Sequence, residues 1–228
     1  MPRKVAIFDI DGTVFRSSLL IELADALVQE AVFPAAARKE YAHAYRLWSE
    51  RKGAYEKYID GVVRSFLKYI KGVRHADLVR VVKKVVAFHQ NRVYRYTRDL
   101  IRALKKRGYY LLAISKSPME IVQGFGKTLG FNKVYGYVYE VGLNKRFTGR
   151  TLHDNFINDK AKVLKRAAEK EGLTLAGSVG VGDTESDIAF LKIVDRPICF
   201  NPNKKLYDHA KRSGWKIVVE RKDVIIEL

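Results

Sequence analysis

A doubly wound α/β fold, a parallel sheet wrapped by helices and carrying a helical insertion, is the class this sequence predicts, and three observations carry it. Short apolar runs of strand length recur along the chain, helix-period segments separate several of them, and one long helical stretch interrupts the alternation. Strands covered on both faces read as continuous apolar runs, and strand-helix alternation is the mark of a parallel sheet. At 228 residues the chain suffices for one domain with an insert, or for two small domains.

Residues 4 to 10 form the first apolar run and read as a strand buried on both faces. From about Ser17 to Tyr94 the spacing turns helical, with Leu19, Leu20, Leu23, Ala24 and Leu27, then Tyr41, Ala44, Tyr45 and Trp48, then Ile59, Val62, Val63 and Phe66. This stretch reads as a helical cap over 17–94, inserted into a core made of 1–16 and 95–228. Its aromatics, Tyr41, Tyr45 and Tyr58 among them, fit a bundle core at that spacing. The alternation then resumes: a helix over Thr97 to Lys106, a strand over Tyr109 to Ile114 and a helix over Met119 to Leu129. Gly142, Asn144 and Gly149 among β-formers mark Val134 to Arg150 as a short hairpin beside the sheet. Helices over Lys160 to Glu171 and Ser186 to Ile193, and strands at Ser178 to Val181, Pro197 to Phe200 and Lys216 to Val219, complete the pattern.

Hydrophobic residues make up 47% of the chain, so a folded globular protein is expected. No apolar run approaches the roughly 20 residues that span a bilayer, and Asp9 and Asp11 interrupt the N-terminal run that could serve as a signal peptide. A soluble, cytoplasmic protein is expected, and the single Cys199 excludes an internal disulfide. The net charge is +18, and the segment from Arg38 to Arg107 holds 20 basic against 6 acidic side chains. Such a field draws anions: phosphorylated metabolites, nucleic acid or an acidic membrane surface. It also fits a solvated helical surface.

Ligands of an open parallel sheet bind outside the carboxyl ends of its strands, so the residues just after each strand carry the chemistry. The first strand delivers Asp9 and Asp11, followed by Gly12-Thr13, a tight turn with open amides. A calcium loop would need further oxygen ligands ending in Glu within about a dozen residues; here Val14, Phe15 and Leu19 to Ile21 follow. After Ile114 come Ser115-Lys116-Ser117-Pro118, a hydroxyl and amides ahead of a helix, where an anion can sit. After Val181 comes Gly182-Asp183-Thr184-Glu185-Ser186-Asp187, which brings more acids to the same edge. Converging carboxylates repel one another unless a cation lies among them, and hard oxygen ligands favour Mg2+, with Asp183 as the third ligand and Glu185 directed elsewhere. A lysine to neutralise a transferring phosphoryl group is expected at Lys160, with Lys162 as the competitor.

In that order, Asp9-x-Asp11-Gly12-Thr13, Ser115, Lys160 and Gly182-Asp183-x-x-x-Asp187 resemble the four motifs of the haloacid dehalogenase-like hydrolases. The insert resembles that superfamily's type I cap, and Ile114 to Pro118 with Asn201 to Leu206 resemble its phosphoserine phosphatase-like subfamily. The resemblance implies a Mg2+-dependent phosphomonoesterase acting on a small phosphorylated metabolite. It assigns Asp9 as the nucleophile and Asp11 as the acid-base, and it places Mg2+ on Asp9, the Asp11 carbonyl and Asp183. Gly12, Thr13, Ser115, Lys116 and Lys160 would then line the substrate phosphate, with Asp187 orienting Lys160. Asp at position 11 favours a phosphatase over a dehalogenase. The chain also departs from the pattern: Ser18 stands where phosphoserine phosphatases carry the acid that holds the substrate ammonium, Glu22 lies a helical turn further on, and Lys116-Ser117 replace a glycine pair. Arg16 and Lys116 point toward a more anionic leaving group. Two further readings are a phosphotransferase using the same intermediate and a nucleic-acid-binding protein using the basic insert.

Overall fold

The computed structural model describes residues 2–228. Eight strands form one sheet: β1 (Arg3–Phe8), β2 (Tyr110–Pro118), β3 (Lys133–Val141), β4 (Phe147–Leu152), β5 (Leu173–Gly182), β6 (Arg196–Phe200), β7 (Lys216–Arg221) and β8 (Val224–Glu227). Their spatial order is β4-β3-β2-β1-β5-β6-β7-β8. The six inner strands run parallel, and β4 and β8 close the edges antiparallel. Chain order reverses direction at β1, whose neighbours are β2 and β5, so a crevice opens beyond the carboxyl end of β1.

Four helices separate β1 from β2's own leading helix: α1 (Leu19–Gln29), α2 (Ala36–Ser49), α3 (Tyr55–Ile70) and α4 (His75–His89). The others are α5 (Arg95–Lys106), α6 (Met119–Leu129), α7 (Asp154–Ile157), α8 (Lys160–Lys170), α9 (Ile188–Leu191) and α10 (Lys204–Ser213). None is long and apolar enough to cross a membrane. One face of the sheet shares a continuous apolar cluster with the insert: Phe8, Leu111 and Phe125 pack in the same body of side chains as Leu23, Phe66 and Val82. The other face is covered by α8, α9 and α10 through Val163, Leu164, Phe190 and Leu206. The insert is therefore anchored to the sheet by hydrophobic burial as well as by its two chain connections.

The strands and helices expected from the sequence are present, with shifted ends, but the hairpin expected beside the sheet is part of it, because β3 pairs parallel with β2 and carries β4 as the edge. The first strand stops at Phe8, because Ile10 already turns: its carbonyl accepts the amides of Val14 (2.9 Å) and Phe15 (2.8 Å). The last helix expected before β6 divides into a 3-10 turn (Glu185–Asp187) and α9. Helices α7 and α10 and strand β8 were not anticipated. Helix α10 buries only Leu206 and Ala210, two apolar positions in a ten-residue polar segment, and β8 is a four-residue edge.

Candidate active site

Asp9 follows directly on β1, its amide still bonded to the Val181 carbonyl of β5 (2.9 Å), so its side chain is fixed at the floor of the crevice. The residue is only 6% exposed. Its Oδ1 accepts from the Lys160 ammonium at 2.5 Å, and Oδ2 has no hydrogen-bond partner among the described residues. Lys160 opens α8, whose first turn is capped by the Asp159 carboxylate on the Lys162 amide (3.0 Å). The two lysines differ in placement: the Lys160 side chain is buried beside Asp9, and Lys162 is exposed.

The same ammonium donates to Asp187 Oδ1 at 2.5 Å. Asp187 is fully buried, and its Oδ2 accepts the amides of Asp183 (3.0 Å) and Thr184 (3.1 Å). Both of its oxygens are thus occupied by the protein. Asp183 is placed oppositely: Oδ1 accepts from the Thr13 hydroxyl (3.0 Å), while Oδ2 has no partner among the described residues. Gly12 leaves room for it. A Cβ on Gly12 would stand 2.2 Å from Asp183 Oδ2, and the backbone φ of +80° is one that L side chains rarely adopt.

Asp11 is surrounded by donors. Oδ1 accepts the Leu19 amide (2.5 Å), and Oδ2 accepts the hydroxyls of Ser115 (2.5 Å) and Ser117 (3.0 Å). Positions 115 and 117 share one side of the extended end of β2, which is how both reach the same carboxylate. The sequence reading singled out Ser115 alone; the two-residue period was the signal for Ser117. The Ser115 hydroxyl is fully buried and spent on Asp11, and it also accepts the Ser117 amide (2.9 Å). Glu185 turns away, as expected, to Lys205 (2.9 Å) and to Asn203. Hydrogen bonds from Lys205 and Asn203 hold its carboxyl down to about 2.

Two carboxylates therefore grip one buried ammonium, and Asp11 and Asp183 lie near enough to feel its charge. Burial pushes the Asp9 carboxyl up to about 7, against the lowering pull of Lys160 and with a further push from Asp187 and Asp11. Asp183 is raised well above the ordinary range, first by burial and then by the charges of Asp9 and Asp187. Asp11 is raised by burial despite the donors that favour its charge. Burial alone would lower the Lys160 ammonium, but Asp187 and Asp9 override it and hold it protonated. Carboxylate oxygens of Asp9, Asp183 and Asp187 lie within 4.8 Å of one another. Since Asp187 is saturated, the two free oxygens belong to Asp9 and Asp183, a hard and electron-rich pair that fits a divalent cation.

This floor opens into a cavity of about 1030 Å3 roofed by α1, α2 and α3. Asp9, Asp11, Gly12, Lys116, Ser117, Lys160 and Asp183 line it. Among the expected phosphate-lining residues, Thr13 and Ser115 stand behind the wall, each holding an aspartate.

A family model described as haloacid dehalogenase-like hydrolase matches residues 6–192. The phosphoserine phosphatase SerB1 of Mycobacterium tuberculosis is 23% identical over 214 residues, which cover 93% of this chain and 69% of that protein. A histidinol-phosphatase of Neisseria meningitidis is 23% identical over 231 residues, covering 95% and 98%. A structure described as a phospho-aspartyl intermediate analogue of phosphoserine phosphatase superposes with a TM-score of 0.64 at 21% identity, covering 98% of this chain and 96% of that one.

Proposed function

The chain belongs to the haloacid dehalogenase-like hydrolases and is a phosphatase of that family, and from this premise we propose that it hydrolyses small phosphomonoesters in two displacements, through an aspartyl-phosphate on Asp9 and with Mg2+ as cofactor. The observation that carries this reading is the state of Asp9: at the floor of the cavity, one oxygen held by Lys160, the other without a partner among the described residues.

In the first displacement an Asp9 oxygen bonds to phosphorus and the bond from phosphorus to the substrate alcohol breaks. Asp11, whose raised carboxyl keeps a proton closer to neutral pH than an exposed acid would, delivers that proton to the departing alkoxide. In the second, Asp11 takes a proton from water as its oxygen attacks phosphorus, and the bond to Asp9 breaks, releasing phosphate. Lys160 holds Asp9 in place and offsets negative charge on the phosphoryl oxygens. Asp187 keeps the lysine aimed through its own saturated carboxylate. Asp9, Asp183 and the Asp11 carbonyl are the proposed Mg2+ ligands, and the bound ion supplies positive charge that screens the nucleophile from the anionic phosphate. The helical insert roofs the cavity and selects the leaving group.

Release of phosphate from p-nitrophenyl phosphate tests the reading. Turnover should require Mg2+, stop with EDTA, and vanish in Asp9→Asn, and acid-quenched peptide mapping should find phosphate on Asp9. Full activity in EDTA, or in Asp9→Asn, would refute it.

A further inference from the structure

The sequence reading assigned the aromatic residues of the insert to its core, and the structure divides them. Tyr41 and Tyr58 are buried, but Tyr45, Trp48 and Tyr55 are 49%, 38% and 40% exposed. All five line the cavity above Asp9. Tyr45 and Trp48 lie on one face of α2, and Tyr55 and Tyr58 on one face of α3, so the two helices present their rings together. Trp48 stacks on Tyr58 (5.6 Å, 22° between planes), and Tyr45 packs against the same ring at 5.2 Å. The rings fill one another's spaces and offer a continuous aromatic wall. Burial, and then the charges of Asp11 and Asp183, hold the Tyr55 phenol above its ordinary range.

Two of the three acids that line the cavity outside the catalytic floor are already occupied by the protein. Glu22 is taken by Arg92 (2.7 Å) and His89 (3.2 Å), and Asp25 by Arg38 (3.0 Å) and the Tyr41 hydroxyl (2.8 Å). Position 18 is a buried serine. Asp60 is the lining carboxylate outside the catalytic floor that forms no ion pair among the described residues, and it can accept an N–H or O–H from a ligand. The volume, at the upper end of the roughly 300–1,000 Å3 of small-molecule sites, far exceeds what a serine-sized group fills.

We infer that the leaving group is an alcohol bearing a planar aromatic ring, which stacks on the wall formed by Tyr45, Trp48 and Tyr55 while its phosphate rests against Asp9 and Lys160. This rests on the phosphatase reading above and specifies its substrate class.

Two measurements separate the two. In kinetics, kcat/KM for adenosine monophosphate and phenethyl phosphate should exceed that for phosphoserine and glycerol phosphate by about tenfold or more, the size of one stacked ring. Trp48→Ala, and separately Tyr45→Ala, should shrink that ratio chiefly through KM for the ringed substrates. In binding, the Trp48 fluorescence of Asp9→Asn should be quenched by adenosine monophosphate and unaffected by glycerol phosphate, with the quench absent in Asp9→Asn/Trp48→Phe. Turnover without preference for a ring, or variants that lower all four substrates equally, would overturn the inference and leave the phosphatase standing. Ring-dependent quenching without turnover of any phosphate by the unsubstituted protein would keep the aromatic site and overturn the hydrolytic reading.

Discussion

Asp187 and Asp9 hold the same ammonium at the same 2.5 Å, yet their environments assign them different work. Asp187 has no free oxygen and no exposure, so its influence on substrate passes through Lys160 and the Asp183 amide. Partners of this kind typically alter affinity or activity by about 10–100-fold, well short of the loss of a nucleophile. Asp187→Asn is therefore expected to lower kcat by about 10–100-fold and to raise the Mg2+ concentration needed for half-maximal rate, with Asp9→Asn inactive in the same phosphate-release assay. Equal losses in the two variants would contradict this division. Gly12 belongs to the same scale. Its missing side chain is what lets Asp183 approach the loop, and Gly12→Ala pushes a methyl group into the Asp183 carboxylate at a backbone angle that L residues resist. The expected result is a folded protein by circular dichroism that has lost Mg2+-dependent activity by at least about tenfold. Wild-type Mg2+ dependence would show that Asp183 does not need that approach.

At the level of elements, β2 and α1 are joined through polar groups that the sequence places about a hundred residues apart. The Leu20 amide in the first turn of α1 donates to the Ser117 hydroxyl at 3.1 Å, and the neighbouring Leu19 amide to Asp11. The start of the insert is thereby tied to the two segments that carry Asp11 and Ser117. Ser117→Ala leaves the buried Leu20 amide without its acceptor, a cost of about 1–3 kcal/mol. Urea unfolding should show a midpoint lowered accordingly, and hydrogen exchange should show faster opening at Leu19 and Leu20; an unchanged midpoint would mean that another acceptor replaces the hydroxyl. These elements also show what was legible beforehand. Asp9, Asp11, Lys160 and Asp183 could be found because each follows a buried strand or opens a helix, and parallel topology brings such positions to one edge. Helix α6 could be bounded because Pro118 precedes it and Gly130, in a left-handed conformation, ends it. The pairing of Ser117 with Asp11, of Glu22 with Arg92 and of Asp25 with Arg38 could not, because nothing local records which distant side chain will occupy an acid. The exposure of Tyr45 and Trp48 was hidden for a related reason: helical spacing shows that two residues share a face, not whether that face meets another helix or a cavity.

Across the whole molecule, a chain of net charge +18 nevertheless gathers four aspartates at one sheet edge with a single buried ammonium, which pairs with two of them. The unfolded chain hydrates those acids individually, and the fold crowds them, so the pH dependence of stability should report the crowding. Between about pH 4, where an exposed carboxylate ionises, and pH 7, where Asp9 does so in the fold, the native protein retains protons that the unfolded chain has lost. Stability must then fall as pH rises through this window. Mg2+ held at the proposed site would act in the opposite direction, because it would favour the ionised forms of Asp9 and Asp183 and bind the native state. Thermal unfolding in EDTA should accordingly give a higher Tm near pH 5 than near pH 7, and Mg2+ should raise the pH 7 value most. Asp183→Asn, which removes one of the crowded charges, should be more stable than the natural chain at pH 7 in EDTA and should lose most of the response to Mg2+. A natural chain whose Tm in EDTA follows that of Asp183→Asn at both pH values would show that the acids are not crowded enough to need an ion.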